Sequence, residues 1–186
     1  MHTTSQWRWR YDADNEQLMI QLSEGVVHCA PYKASRLIPL KAMDEPFSLD
    51  DATTFQTLFD ALEASQRFSP QVILAAALNH TIYQRFGRPQ MPQSWYFQTA
   101  EENHQIADNT TLEIGELVRL NSGLAEASCA VVNCEGEFVE CMVLADSFPL
   151  SDIKHLAQYE VIKVMLNRLQ PLHEQRDLSA DYLRHA

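Results

Sequence analysis

Polar and apolar residues alternate strictly through Trp7-Arg8-Trp9-Arg10-Tyr11, with three aromatics on one parity and two arginines on the other. A period of two predicts a strand with one buried face and one charged, solvated face. Turn residues at 12–15 lead into a second alternating run, Leu18, Ile20 and Leu22, and Ser23-Glu24-Gly25 leads into a third from Val26 to Cys29. The three runs predict an antiparallel meander. Pro31 and Pro39 then bound an irregular stretch carrying Lys33, Arg36 and Lys41.

The period changes at Ser48. Ala52, Phe55, Phe59 and Leu62 recur at helical spacing with Leu58 alongside, and Ser48 with Asp51 three residues on echoes a capping box. A second helix opens on Ser69 and Pro70, a cap followed by the residue best suited to a first turn. From Val72 to Leu78 this helix is apolar on every side, so it is expected between other elements rather than on the surface. Gly87 ends it, Pro89 and Pro92 forbid its continuation, and Trp95-Tyr96-Phe97 begins an extended apolar segment.

Beyond a polar loop at 98–111 the pattern belongs to strands. Leu112 to Leu120 predicts one, with Gly115 suited to a bulge, and Asn121-Ser122-Gly123 a hairpin turn. Strands follow from Ala127 to Cys134 and from Phe138 to Ala145. The last is apolar on both parities, which suits a closed or strongly curled sheet covered on both faces. Tyr159, Ile162, Leu166 and Leu169 fall at helical spacing and predict a final helix stopped by Pro171. The tail from Leu172 is thin in apolar residues and is expected to be loosely held. The chain therefore reads as α+β. An N-terminal α/β domain (residues 1–92) holds the antiparallel meander and two helices. A C-terminal domain (residues 93–186) is a twisted, β-barrel-like unit with a helix.

Composition adds exclusions. With 186 residues and 46% apolar content the chain can bury a full core, and a net charge of −11 argues against nucleic acid or an anionic membrane as a global partner. The longest apolar run, Val72 to Leu78, is too short to span a bilayer, and the first residues lack the apolar centre of a signal peptide, so a cytoplasmic protein is expected. Cys29, Cys129, Cys134 and Cys141 form no C-x-x-C pair and read as small buried thiols. The chain contains no phosphate-binding glycine motif, no G-x-S-x-G elbow and no H-E-x-x-H helix, and its histidines are dispersed. No cofactor or metal is expected, and no enzymatic activity.

What remains is recognition. Aromatic residues, Met and Arg mark interface centres. Two segments carry that mix, Arg85 to Phe97 and the predicted last helix with Lys163, Met165 and Arg168. The candidate partner-binding residues are Arg85, Arg88, Met91, Trp95, Lys154, Lys163 and Arg168. For Arg85 and Arg88 the competing reading is compensation of a helix dipole. For Trp95 it is a place in the core, the reading preferred here. A rival function is a small-molecule-sensing module with its ligand inside the C-terminal β domain.

Three separated motifs stand in order: Trp7-Arg8-Trp9 with Tyr11-Asp12; Pro89-Gln90-Met91-Pro92 with Ser94-Trp95 and Phe97; and Ile162-Lys163, Met165, Arg168-Leu169 and Pro171. Their spacing resembles that of the ZapC family of bacterial cell-division proteins across nearly the whole chain, with a more divergent body between them. The resemblance implies an N-terminal α/β domain and a C-terminal twisted, barrel-like β domain. It also implies a cytoplasmic factor at the division site. Such a factor binds the globular core of the filament-forming GTPase FtsZ, promotes bundling of its filaments and stabilises the Z-ring at midcell, with no membrane insertion and as a monomer. Family contacts are thought to use pockets with apolar centres and basic surroundings. Lys163 and Arg168 match the family motif and Arg88 precedes the Pro-Gln-Met-Pro run. Gln93 is neutral where the family pattern suggests a cation, and Leu166-Asn167 is another departure.

Overall fold

The structure, a computed structural model, describes residues 4–100 and 111–172. The expected loop at 98–111 and tail from 172 lie largely outside that range.

The meander forms as its alternation requires. Strands β1 (Arg8–Asp12), β2 (Gln17–Gln21) and β3 (Val27–Cys29) are joined by β4 (Met43–Pro46) in an antiparallel sheet of order β3-β2-β1-β4. Trp7, Trp9, Leu18 and Ile20 point inward and are buried. On the opposite parity Arg8 and Arg10 both pair with Asp44 of β4. Strand β4 escapes the periodicity reading because Met-Asp-Glu-Pro is a polar edge whose signal is its partner, not its pattern.

Helices α1 (Leu49–Ser65) and α2 (Pro70–Phe86) begin where their caps place them. Ser48 and Asp51 complete the capping box in both directions, and Ser69 caps α2 with Pro70 in its first turn. Gly87 is required by a close approach: a Cβ there would lie 2.5 Å from the Tyr83 carbonyl oxygen.

The second half builds β5 (Leu117–Asn121), β6 (Glu126–Glu135) and β7 (Phe138–Val143), then a small hairpin of β8 (Ser147–Pro149) and β9 (His155–Ala157), then β10 (Val161–Met165) and β11 (Gln170–Pro171). The main sheet is antiparallel with order β10-β7-β6-β5-β11. The helices lie between the two sheets. One flank, with Phe55, Leu78, Ile82 and Phe86, packs on Trp7, Trp9, Leu18 and Ile20. The other, with Leu58, Leu62, Ile73 and Ala76, packs on Ala130, Val132, Met142 and Val161 of the second sheet. That arrangement is why α2 is apolar all round. The far face of the second sheet is closed by Phe97, Phe148, Leu156 and Leu169, so β7 is covered on both sides as its two apolar parities imply.

Two expectations are corrected. The predicted helix over 159–169 is strand β10, a 3-10 turn (Leu166–Arg168) and the short β11. Val161, Ile162 and Val164 are β-branched and stiff, and they divide between the two faces of the sheet, Val161 towards the helices and Ile162 and Val164 away from them. The helical spacing of Tyr159, Ile162, Leu166 and Leu169 is coincidental, and Tyr159 at φ 68° cannot begin a helix. The second correction concerns closure: the sheet is not a closed barrel. One segment, 161–171, lies on β7 at one edge and, after the 3-10 turn, on β5 at the other, but β10 and β11 do not pair. In addition, β5 starts only at Leu117, and Gly115 lies in the preceding turn at φ 92°.

The outer edge of β10 is sealed by groups from elsewhere in the chain. The Val161 carbonyl accepts from the Arg36 guanidinium (2.9 Å), the Lys163 carbonyl from the Gln93 amide (2.8 Å), and the Met165 amide donates to Ser94 Oγ (2.8 Å).

A buried carboxylate joins the first sheet to both helices. Asp51 Oδ2 accepts from Trp9 Nε1 (2.8 Å), from the Ser48 amide (2.8 Å) and from the Arg85 guanidinium. Truncating it leaves the indole N–H without an acceptor and Arg85 with Glu45 alone of its two carboxylate partners. Asp51→Ala is expected to lower stability by about 3 kcal/mol, measured as the shift in urea midpoint at constant slope; a loss within experimental error would remove this junction from the account.

His80 sits in α2 between the layers with no exposed surface and Nε2 3.4 Å from the Val132 carbonyl. Burial pushes its pKa down to about 4 from 6.5. The unfolded chain therefore takes up this proton at a higher pH than the folded chain. The stability contributed by neutral His80 is complete above pH 6.5 and is lost as pH falls towards 4, by about 3 kcal/mol in total. Burial lowers His28 in the same sense. Replacing His80 by Leu is expected to flatten this part of a urea-unfolding pH profile, and an unchanged slope between pH 6.5 and 4 would assign the acid sensitivity elsewhere.

Candidate functional site

Three of the seven candidate residues are engaged within the fold away from the main surface groove. Arg85 bridges Asp51 and Glu45 (2.9 Å to the latter) and lies over the rings of Trp9 and Phe86 at 5.4 and 5.2 Å. Arg168 donates to the Phe97 carbonyl (3.1 Å) and to Thr99 Oγ1, clamping the chain that closes the second sheet. Lys163, its side chain 12% exposed, is ion-paired with Glu135 and lies 5.7 Å from the Phe138 ring. Of the other four, Trp95 packs on Tyr96 beside Lys154, Arg88 and Met91 line a smaller hollow, and Lys154 lines the main surface feature.

That feature is a groove of about 480 Å³ between the loop 31–36 and the segment 154–162. Its floor is stitched together. Tyr32 donates to the Tyr159 carbonyl (3.0 Å), Arg36 to the Val161 carbonyl, and the Arg88 amide to the Arg36 carbonyl (2.9 Å). Leu37 forms a bridge with Gly87. Lys33, Arg36 and Lys154 line it, and Glu160 is the one carboxylate among the described residues that do so. A second hollow of about 250 Å³ shares Arg36 and Gln93 and adds Arg88 and Met91, with no carboxylate among the described residues that line it. On a chain of net charge −11 this is a local positive region.

The apolar part comes from how residues 93–97 are wound. Ser94–Tyr96 forms a 3-10 turn, where residues three apart eclipse one another. Ser94 and Phe97 therefore face inward together, Ser94 onto the Met165 amide and Phe97 into the core, while Trp95 faces out at 71% exposure. The preferred core reading of Trp95 is thus corrected. Met91 is 81% exposed, and Ile153, at the tip of the β8–β9 hairpin, 97%.

Lys154 links the pieces. Its Nζ donates to Gln93 Oε1 (3.1 Å) and to the Tyr96 hydroxyl (3.2 Å) and lies 4.4 Å from the Tyr96 ring centre, while Trp95 packs on Tyr96 at 5.6 Å. The hydrogen bond from Lys154 holds the Tyr96 phenol below its usual pKa, and the Trp95 side chain adds to the effect. The cation missing from position 93 in the sequence is supplied in space by Lys154, 61 residues along the chain. Sequence reasoning overlooked Tyr96 and Ile153 and attached no role to Lys33 and Arg36. Their signal is three-dimensional, because the β8–β9 hairpin that delivers Ile153 has only three residues per strand.

Among the described residues no group of His, Cys, Asp and Glu is arranged to hold a metal ion. Cys129 and Cys141 are buried, and burial raises Cys129 to about 12, so these thiols stay protonated. Cys29 and Cys134 are exposed, against the expectation that all four are buried. No helix among the described residues is long and apolar enough to cross a membrane.

Fold and site together describe an α+β protein with exposed apolar side chains near a cation-bearing groove, a composition suited to protein contact. Residues 1–88 match the family model described as cell-division protein ZapC, N-terminal, and residues 89–175 the model described as cell-division protein ZapC, C-terminal. The chain belongs to the ZapC family of cell-division proteins. It is 38% identical to the cell division protein ZapC of Idiomarina loihiensis, over 97% of this chain and 95% of the relative. It is 33% identical to that of Shewanella frigidimarina over 94% and 95%, and 32% identical to that of Aeromonas hydrophila over 89% of each.

The division of labour among the candidates has a measurable counterpart. Trp95→Ala is expected to leave thermal stability within about 0.5 kcal/mol, whereas Arg168→Met should cost roughly 1–3 kcal/mol. Equal melting temperatures for the two variants would contradict it.

Proposed function

We propose that this chain is a non-enzymatic cell-division factor of the cytoplasm that binds FtsZ polymers, promotes lateral association of the filaments and stabilises the ring at midcell. The observation that carries the reading is that Lys154 lines a cation-bearing groove, Arg88 and Met91 line the hollow that shares Arg36 and Gln93 with it, and exposed Trp95 packs on the Tyr96 held by Lys154, in a member of a cell-division family. A positive patch on an otherwise acidic body would favour one docking orientation on an acidic filament and disfavour the rest. A single weak contact is sufficient, since filaments present many identical sites and avidity multiplies along them. The patch also offers local neutralisation where two filaments approach.

The rival reading places a small ligand inside the C-terminal β unit. The space it needs is filled by packed side chains, with Phe97 and Phe148 at 5.8 Å, and the groove meets that core at Leu156 and Ile162.

Co-sedimentation with FtsZ polymers tests the proposal. Trp95→Ala should weaken pelleting roughly thirtyfold, as loss of an interface anchor does. Arg88→Glu should weaken it further at low salt than at high salt. Wild-type pelleting and filament bundling in both variants would sink the assignment of this surface.

A further inference from the structure

Trp95, Met91 and Ile153 are exposed side chains on three short irregular pieces of backbone, a situation that ordinarily leaves them mobile and makes docking entropically costly. The connections around Lys154 counter this. Its backbone closes the hairpin tip: the Leu150 and Ser151 amides donate to its carbonyl (2.8 and 3.1 Å), and its own amide donates to Ser151 Oγ (3.1 Å). Ile153 is held inside that turn. The Lys154 ammonium then reaches to Gln93 and Tyr96, the residues on either side of the turn that presents Trp95. Two of its three N–H groups are used there, and its charge lies over the Tyr96 ring. The 93–94 segment is in turn fixed to β10 through the Gln93 amide and Ser94 Oγ.

We propose that Lys154 is a positioning residue, which ties the turn that presents Trp95 to the hairpin tip that carries Ile153 and so pre-orders both side chains, rather than offering its charge to the partner. The inference rests on the surface being the FtsZ-docking site, but its physical content concerns the free protein. Trp7 and Trp9 are buried, so Trp95 is the exposed one of the three tryptophans, and its indole N–H reports local order directly.

The experiment measures the heteronuclear NOE of the Trp95 indole N–H in the ¹⁵N-labelled full chain, assigned by the signal lost in Trp95→Phe, beside FtsZ co-sedimentation. Three variants are compared: Lys154→Met, Lys154→Arg and Tyr96→Phe. Lys154→Met should lower the NOE clearly and weaken pelleting roughly tenfold, the share expected from re-ordering one or two side chains on binding. Lys154→Arg, which can still donate to both acceptors, should restore both readouts. Tyr96→Phe keeps the cation but removes the hydroxyl, and should lower the NOE in part. An unchanged NOE in Lys154→Met overturns the proposal, and if pelleting still falls, Lys154 is a contacting cation instead. A wild-type chain that fails to pellet with FtsZ overturns the functional reading alone, and the NOE comparison then decides the positioning role by itself.

Discussion

Much of this molecule depends on one carboxylate. Asp51 receives the start of β1 through the Trp9 indole, the start of α1 through the Ser48 amide, and the end of α2 through Arg85. Each partner comes from a different element, and the ion pair is largely withdrawn from solvent on the Asp51 side. Such a pair is costly to bury and disruptive to break, so its value lies in specifying one arrangement. Arg85 also covers Trp9 and Phe86, which makes the charge and the aromatic packing parts of the same joint. The first sheet is thereby fixed against the helices, and the helices carry the second sheet on their other flank.

With that joint set, the groove follows from geometry. The helix pair separates two sheets of quite different size, and two stretches of chain span the gap: 31–38, within the connection from β3 to β4 of the first sheet, and 87–100, which leads from α2 towards the second sheet. Where those stretches run beside β10, backbone and side-chain groups from both close the gap: Tyr32, Arg36, Gln93 and Ser94 all bond to residues 159–165. The cations lining the groove come largely from these connecting segments, so the site is a property of the junction between the halves.

Elements with strong periodicity or explicit caps were legible in the sequence. The Trp7–Tyr11 alternation, the Ser48 and Ser69 starts and the all-round apolar α2 each carry their physics locally, and the structure realises each of them. The segment 159–169 misled because its apolar residues satisfy both periods, and only the β-branched run at 161–164 favours the strand. The site was half legible. Arg88, Met91 and Trp95 lie within eight residues, so composition finds them, although it cannot say that Trp95 faces outward. Arg85 and Arg168 look equally available in the sequence, but their acceptors lie 34 and about 70 residues away and appear only in the fold. Ile153 was invisible because a lone isoleucine in a polar turn gives no signal until its neighbours in space are known.

The sealed edge of β10 has a consequence for crowding. A strand edge with free amides and carbonyls is a template onto which another copy can add, and β-proteins commonly protect such edges. Here the Arg36 guanidinium, the Gln93 amide and Ser94 Oγ occupy the outward positions at 161, 163 and 165. At the opposite sheet the outer strands β3 and β4 span only three and four residues, and β4 carries Asp44, Glu45 and Pro46, features that discourage an ordered addition. With its outward positions occupied, the β10 edge is closed to the addition of a strand from another copy.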